Sequence, residues 1–139
     1  MGPDGAVVFG ASDPAVAYDA AFNAYLVVWR GDDDLVGVNE NEIFGQYLDA
    51  ATGAEIGGND LRLSDMGPDG STDFNVEYAA VAYNSTDNQY LVVWSGDTLE
   101  PLVLADEEYE IFGQRMIAGV LFSDHFETGD LSAWSNATP

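Results

Sequence analysis

The sequence predicts an all-β protein built from two tandem copies of one unit, each a four-stranded antiparallel, propeller-like blade. Three observations predict it. The pentapeptide Met1-Gly-Pro-Asp-Gly5 recurs as Met66-Gly-Pro-Asp-Gly70. Two identical apolar runs, Tyr25-Leu-Val-Val-Trp29 and Tyr90-Leu-Val-Val-Trp94, lie at the same offset of 65 residues. Helical periodicity of useful length is not evident, whereas short β-branched and aromatic runs between Asn/Asp/Gly-rich turns recur throughout.

The copies align in order. Ala15-Val-Ala-Tyr18 maps onto Ala80-Val-Ala-Tyr83 at an offset of 65. Glu42-Ile-Phe-Gly-Gln46 maps onto Glu110-Ile-Phe-Gly-Gln114 at an offset of 68, so the second copy has three extra residues in the preceding loop. The first unit is assigned to residues 1–65, the second to 66–124, and a C-terminal tail to 125–139. Met1 aligns with the internal Met66, as expected of a chain cut from a longer array, and an ordinary start is the plainer explanation.

The first strand of each unit is expected at Ala15–Tyr18 and Ala79–Tyr83, where small residues suit crowded backbones. Asn/Asp/Ser-rich turns follow at Asp19–Asn23 and Asn84–Asn88. The second strands, Tyr25–Trp29 and Tyr90–Trp94, are apolar without alternation, which predicts a strand covered on both faces. Third strands are expected at Glu42–Leu48 and Glu110–Met116, and fourth strands at Leu61–Ser64 and Val120–Ser123. The Pro-Asp-Gly of Met66–Gly70 reads as an inter-repeat turn, because Pro sets φ and Gly admits positive φ. Four strands per unit and a doubly covered second strand point to propeller blades, which close only with more than two copies. An eight-stranded β-sandwich is the alternative, although it would leave one face of each sheet wet.

Composition narrows the function. The net charge is −22 with three basic residues, Arg30, Arg62 and Arg115, which disfavours nucleic acid and anionic membranes. Cysteine is absent, so neither disulfides nor thiolate chemistry is expected. No apolar run reaches the ~20 residues needed to span a bilayer, and no export leader is legible, so an exported form would carry its leader ahead of this chain.

Acid gathers between the second and third strands: Asp32, Asp33, Asp34, Glu40 and Glu42, then Asp97, Glu100, Asp106, Glu107, Glu108 and Glu110. Crowded carboxylates repel one another, and a hard divalent cation with oxygen ligands relieves this. Calcium is therefore the expected ion, with Asp32, Asp34, Glu40, Glu42, Asp97, Asp106, Glu108 and Glu110 as candidate ligands. No run has the regular spacing of an EF-hand loop, and a solvated acidic surface is the competing explanation. His125 is the single histidine, and no nucleophile elbow, phosphate loop or dinucleotide fingerprint is present, so the chain is not expected to be an enzyme. Trp29, Trp94, Tyr18, Tyr83, Tyr25 and Tyr90 would stack on sugar rings from a rim, but their place in apolar runs favours core packing. In the tail, Phe126, Leu131 and Trp134 are apolar anchors for the chain's own last sheet or for a neighbouring copy.

The run Ala80–Trp94 followed by Glu110-Ile-Phe-Gly-Gln114 resembles a repeat found in many tandem copies in large secreted or surface proteins of bacteria. The resemblance covers both units. It implies a β-propeller-like array outside the cell with no assigned catalytic activity. Phe126–Ser135 resembles a short C-terminal signature of exported bacterial proteins. Together these readings lead to an extracellular structural or adhesive protein that self-assembles as an oligomer or fibre and is stabilised by calcium. A glycan-binding, lectin-like module is the alternative.

Overall fold

A computed structural model describes residues 10–32, 40–67, 74–97 and 109–118. They form seven strands: β1 (Ala11–Asp19), β2 (Ala24–Asp32), β3 (Asn41–Asp49), β4 (Glu55–Arg62), β5 (Val76–Asn84), β6 (Gln89–Asp97) and β7 (Tyr109–Ile117). β1 to β4 make one antiparallel sheet in sequence order, and β5 to β7 make a second. Neither sheet is closed. The fourth strand expected at Val120–Ser123 lies outside the described residues.

The repeat recurs in the hydrogen bonding. Ala17 faces Leu26 as Ala82 faces Leu91, and Trp29 faces Phe44 as Trp94 faces Phe112. β1 and β5 each carry a bulge, between Ser12 and Ala15 and between Glu77 and Ala80. Asp13 and Tyr78 sit in these bulges at φ 53° and 54°, so an extra residue is accommodated at the same point although Asp-Pro stands in one copy and Tyr-Ala in the other. The β1–β2 and β5–β6 turns end on Asn23 and Asn88 at φ 50° and 54°, a region Asn tolerates better than most residues.

β4 lies earlier than the fourth strand expected at Leu61–Ser64. Gly57, Gly58, Asn59 and Asp60 form its middle, and turn-forming residues of this kind hide a strand from pattern reading. An irregularity in the β3–β4 pairing between Gly45 and Tyr47 accommodates them. Gln46 bridges the defect: its Nε2 donates to the carbonyls of Tyr47 and Ile56 at 3.0 and 3.2 Å, and its Oε1 accepts from the Asp60 amide at 3.0 Å.

The two sheets pack face to face. Leu26, Val28, Ile43 and Tyr47 from the first sheet join Val76, Tyr90, Val92 and Trp94 from the second in one core. Each such side chain contributes about 1.5–3 kcal/mol on burial. Tyr47 meets Tyr90 edge-on across the joint, with ring centroids 5.9 Å apart.

Within the chain this joint covers one face of each sheet, and the opposite face of the second strands is only partly covered. In β2, Leu26 and Val28 are buried on the joint side; on the other side Trp29 is buried, Val27 is half-buried and Tyr25 is exposed. In β6, Tyr90, Val92 and Trp94 are buried, Val93 is half-buried and Leu91 is exposed. The physical reason is arithmetic: two sheets make one joint, and one joint has two faces, whereas two sheets have four.

Candidate functional site

Two features of the first unit combine chemistry with a defined shape: an acidic cluster at the β3–β4 end and a groove on the uncovered face of the first sheet.

The cluster is set by strand register. Glu42 lies opposite Gly31, at the start of β3, and is fully buried, as is Glu40 just before the strand. Arg62, at the end of β4, brings its Nη2 to 2.9 Å from Glu42 Oε1 and 3.4 Å from Glu40 Oε1. A third carboxylate, Asp65, is 3.5 Å from the same nitrogen but exposed, so it contributes little. Ser64 Oγ donates to Glu42 Oε2 and accepts the Ile43 amide at 2.7 Å. The Met66 amide donates to Glu42 Oε1 at 2.9 Å, and Arg62 Nε donates to the Ser64 carbonyl at 3.1 Å. Glu42 thus has a guanidinium, a hydroxyl and an amide about it, which supply the hydrogen bonds and opposite charge that a buried carboxylate requires.

This bears on the proposed calcium ligands. Glu40 and Glu42 come together, and Arg62 supplies positive charge to both. Asp32 is buried opposite Asn41, and Asp97 lies opposite Tyr109 with its Oδ1 buried and without a hydrogen-bond partner among the described residues. Their amides make matched bonds, Asp32 N to the Gly10 carbonyl and Asp97 N to the Asn75 carbonyl, each 3.1 Å. Glu110 is exposed, unlike its counterpart Glu42. Asp34, Asp106 and Glu108 lie outside the described residues, as do His125 and the tail anchors. Among the described residues, no three His, Cys, Asp or Glu side chains are grouped to hold a metal. Sequence reasoning passed over Arg62 and Ser64. The signal for Arg62 was the divergence of the copies, where Leu61-Arg-Leu-Ser-Asp65 is answered by Val120-Leu-Phe-Ser-Asp124; Ser64 is matched by Ser123 and stood out by nothing.

Among the aromatic residues repeated in both copies, the tyrosines divide by copy, while Trp29 and Trp94 are both buried. Tyr90 and Trp94 are in the core, and Tyr83 packs against it. Burial, reinforced by the nearby Asp19 carboxylate, raises the Tyr47 hydroxyl above its ordinary pKa. Burial raises Tyr83 and Tyr90 likewise, with Asp19 again next in importance. Asp19 itself is tied down by the turn it caps, accepting the Ala21 and Phe22 amides at 2.7 and 3.2 Å. Their counterparts Tyr18 and Tyr25 are exposed. Beside them runs a groove of about 310 Å³ with Val27, Trp29 and Leu48 on its floor and Gln46, Glu55 and Asp60 among its lining.

Comparison with protein-family models, curated proteins and solved structures found no match.

Proposed function

We propose that the chain is a non-enzymatic, extracellular structural or adhesive module of propeller-like blades that self-associates. One observation carries this reading: each sheet has an apolar face that the described residues leave partly open, with Val16, Tyr25, Leu91, Ile111 and Ile117 among the exposed side chains. Apolar area of that kind marks an interaction surface. The resemblance of the repeat to secreted and surface arrays supports the location outside the cell. Light scattering over a concentration series tests the assembly: a mass above 14.9 kDa that grows with concentration is expected, and a monomer at about 100 μM, where even a weak contact registers, overturns it.

Calcium enters this reading through charge. At −22 per chain, copies repel, and a divalent cation bound at the acidic loops lowers that repulsion. Because Arg62 already serves Glu40 and Glu42, this reading favours Asp97, whose buried Oδ1 has no hydrogen-bond partner among the described residues, with the acids that follow it in sequence.

A glycan-binding module is the second reading, and the groove favours it. An indole and apolar floor edged by Glu55, Asp60 and Gln46 suits a sugar ring and its hydroxyls. A glycan array read with and without calcium separates the readings, since a pure scaffold gives no saturable sugar binding.

A further inference from the structure

The joint inside the chain is made from unlike faces, and each of those faces is repeated, partly open, on the other sheet. Residues paired directly across neighbouring strands share a face. The first sheet contributes Leu26, Val28, Ile43 and Tyr47 to the joint; the second contributes Tyr90, Val92 and Trp94. By the repeat offsets, the counterparts of the second group are Tyr25, Val27 and Trp29, on the outer face of the first sheet. Those of the first group are Leu91, Val93, Ile111 and Arg115, on the outer face of the second sheet.

For the leucine, isoleucine and tyrosine twins burial follows the joint and not the residue type, while Trp29 and Trp94 are buried on both faces. Leu26 is 0% exposed and its twin Leu91 51%; Ile43 is 0% exposed and its twin Ile111 76%. On the other side, Tyr90 is 1% exposed and its twin Tyr25 37%. The outer face of the first sheet already holds the geometry of its covered twin. Trp29 stacks on Phe44 at 6.4 Å and 23°, as Trp94 does on Phe112 at 6.4 Å and 22°. Tyr18 and Tyr25 meet at 5.2 Å and 47°, as Tyr83 and Tyr90 do at 5.0 Å and 48°. A surface preorganised in its bound form loses less entropy on docking.

We propose that copies of this chain associate head to tail, the outer face of the β5–β7 sheet of one copy seated on the outer face of the β1–β4 sheet of the next, in the manner of the joint within each chain. This specifies the contact for the self-association read above and rests on that reading. The joint is heterologous, so it propagates into a ring or a filament and does not stop at a two-fold dimer. One substitution at the new joint adds charge complementarity. Arg115 stands where Tyr47 stands in the first sheet, so it meets the ring of Tyr25 as Tyr47 meets Tyr90, and Glu55 lies in the same row across Leu48. A guanidinium over a tyrosine face beside a carboxylate is a favourable contact.

The test uses one blocked face per variant. Val16→Asp charges the outer face of the first sheet and Ile111→Asp that of the second; both positions are exposed in the single chain, so folding should be retained and is checked by circular dichroism. Tyr25→Asp and Leu91→Asp form a second pair should either variant fail to fold. Wild type is expected to exceed a dimer by light scattering, each variant alone to remain at 14.9 kDa, and their equimolar mixture to give twice that mass and no more. Arg115→Glu in otherwise wild-type protein should weaken assembly at least about tenfold. A mixture that stays monomeric while wild type assembles overturns the head-to-tail joint and leaves self-association standing. So does a single variant that still dimerises, which indicates a like-to-like contact. A monomeric wild type removes both, and saturable glycan binding that competes with assembly assigns the groove to sugar instead.

Discussion

At the scale of single residues, Arg62 and Tyr90 carry the clearest consequences. Arg62 neutralises the fully buried Glu42 from a position that is itself partly exposed. Truncating it strands a buried carboxylate, which costs about 3 kcal/mol. Arg62→Met should therefore lower the urea midpoint markedly, and adding Glu42→Gln should restore part of the loss, because the stranded charge is then gone. Tyr90 carries a buried hydroxyl without a hydrogen-bond partner among the described residues. Replacing Tyr90 with Phe removes an unsatisfied polar group and should raise stability by about 1 kcal/mol in the same assay.

The tyrosines also set a pH limit. Tyr47, Tyr83 and Tyr90 all have folded pKa values raised above the ordinary 10.0, chiefly by burial. Above that pH the unfolded chain releases these protons while the folded chain keeps them, so the folded state binds more protons and stability falls as pH rises. Below it the groups are neutral in both states and the contribution is intact. Chemical denaturation between pH 8 and about 12 should show stability declining only beyond about 10, with Tyr90→Phe shallower than wild type; equal slopes would contradict this account.

At the scale of elements, the turns explain why the copies keep the same register. Asn88 occupies positive φ, accepts the Tyr83 hydroxyl, and donates from Nδ2 to the Ala118 carbonyl at 3.3 Å. Asn88→Ala loses both bonds and adds backbone strain, an expected cost of about 2 kcal/mol. Asn88→Gly relieves the strain and should cost less. The equivalent β1–β2 turn has Asn23 accepting the Tyr18 hydroxyl at 3.0 Å on an exposed surface, so Asn23→Ala should cost about half as much. Thermal melts of the three variants check the ranking. The β3–β4 turn is built differently: Asp49 Oδ1 accepts the Ala51 and Thr52 amides and the Thr52 hydroxyl, which holds its carboxyl below the usual range, and Gly53 closes the turn at φ 72°.

Legibility varied among the elements for physical reasons. β2 and β6 were readable because apolar and β-branched residues run unbroken between turn signals, and β3 and β7 because Glu-Ile-Phe-Gly-Gln recurs in both copies. Their observed limits extend the expected ones by a few residues into Gly31-Asp32 and Gly96-Asp97, where ladder hydrogen bonds outlast the apolar pattern. β4 was misplaced because its pairing depends on Gln46 reaching across a defect, which is a tertiary contact and not a local preference. In the acidic cluster, the carboxylates were legible as a concentration of charge. Their partner was not, since Arg62 is twenty residues from Glu42 in sequence and meets it only through the β3–β4 ladder.

At the scale of the whole molecule, repulsion competes with apolar burial. A charge of −22 opposes assembly, and screening relieves it within a Debye length of about 10 Å at 0.1 M salt. Assembly should therefore strengthen as sodium chloride is raised, in contrast to a contact held by ion pairs alone. Calcium should achieve the same at far lower concentration and raise the melting midpoint by mass action. Equal effects of calcium and sodium at matched ionic strength would indicate screening without a binding site. Light scattering and thermal melts, each run with calcium and then with chelator, give the measurement.

From its sequence alone this chain is all-β, built of two repeats, strongly acidic, and unbroken in the apolar runs of its second strands. Those properties are local or additive: periodicity, composition and self-similarity are present before any long-range contact forms. Which face of each sheet is covered was decided only in the tertiary structure, because Leu26 and Leu91 are the same residue in the same pattern and differ solely in what lies opposite. A single joint between two equivalent sheets leaves one copy of each face unmatched, and no property of an individual strand encodes which copy that is.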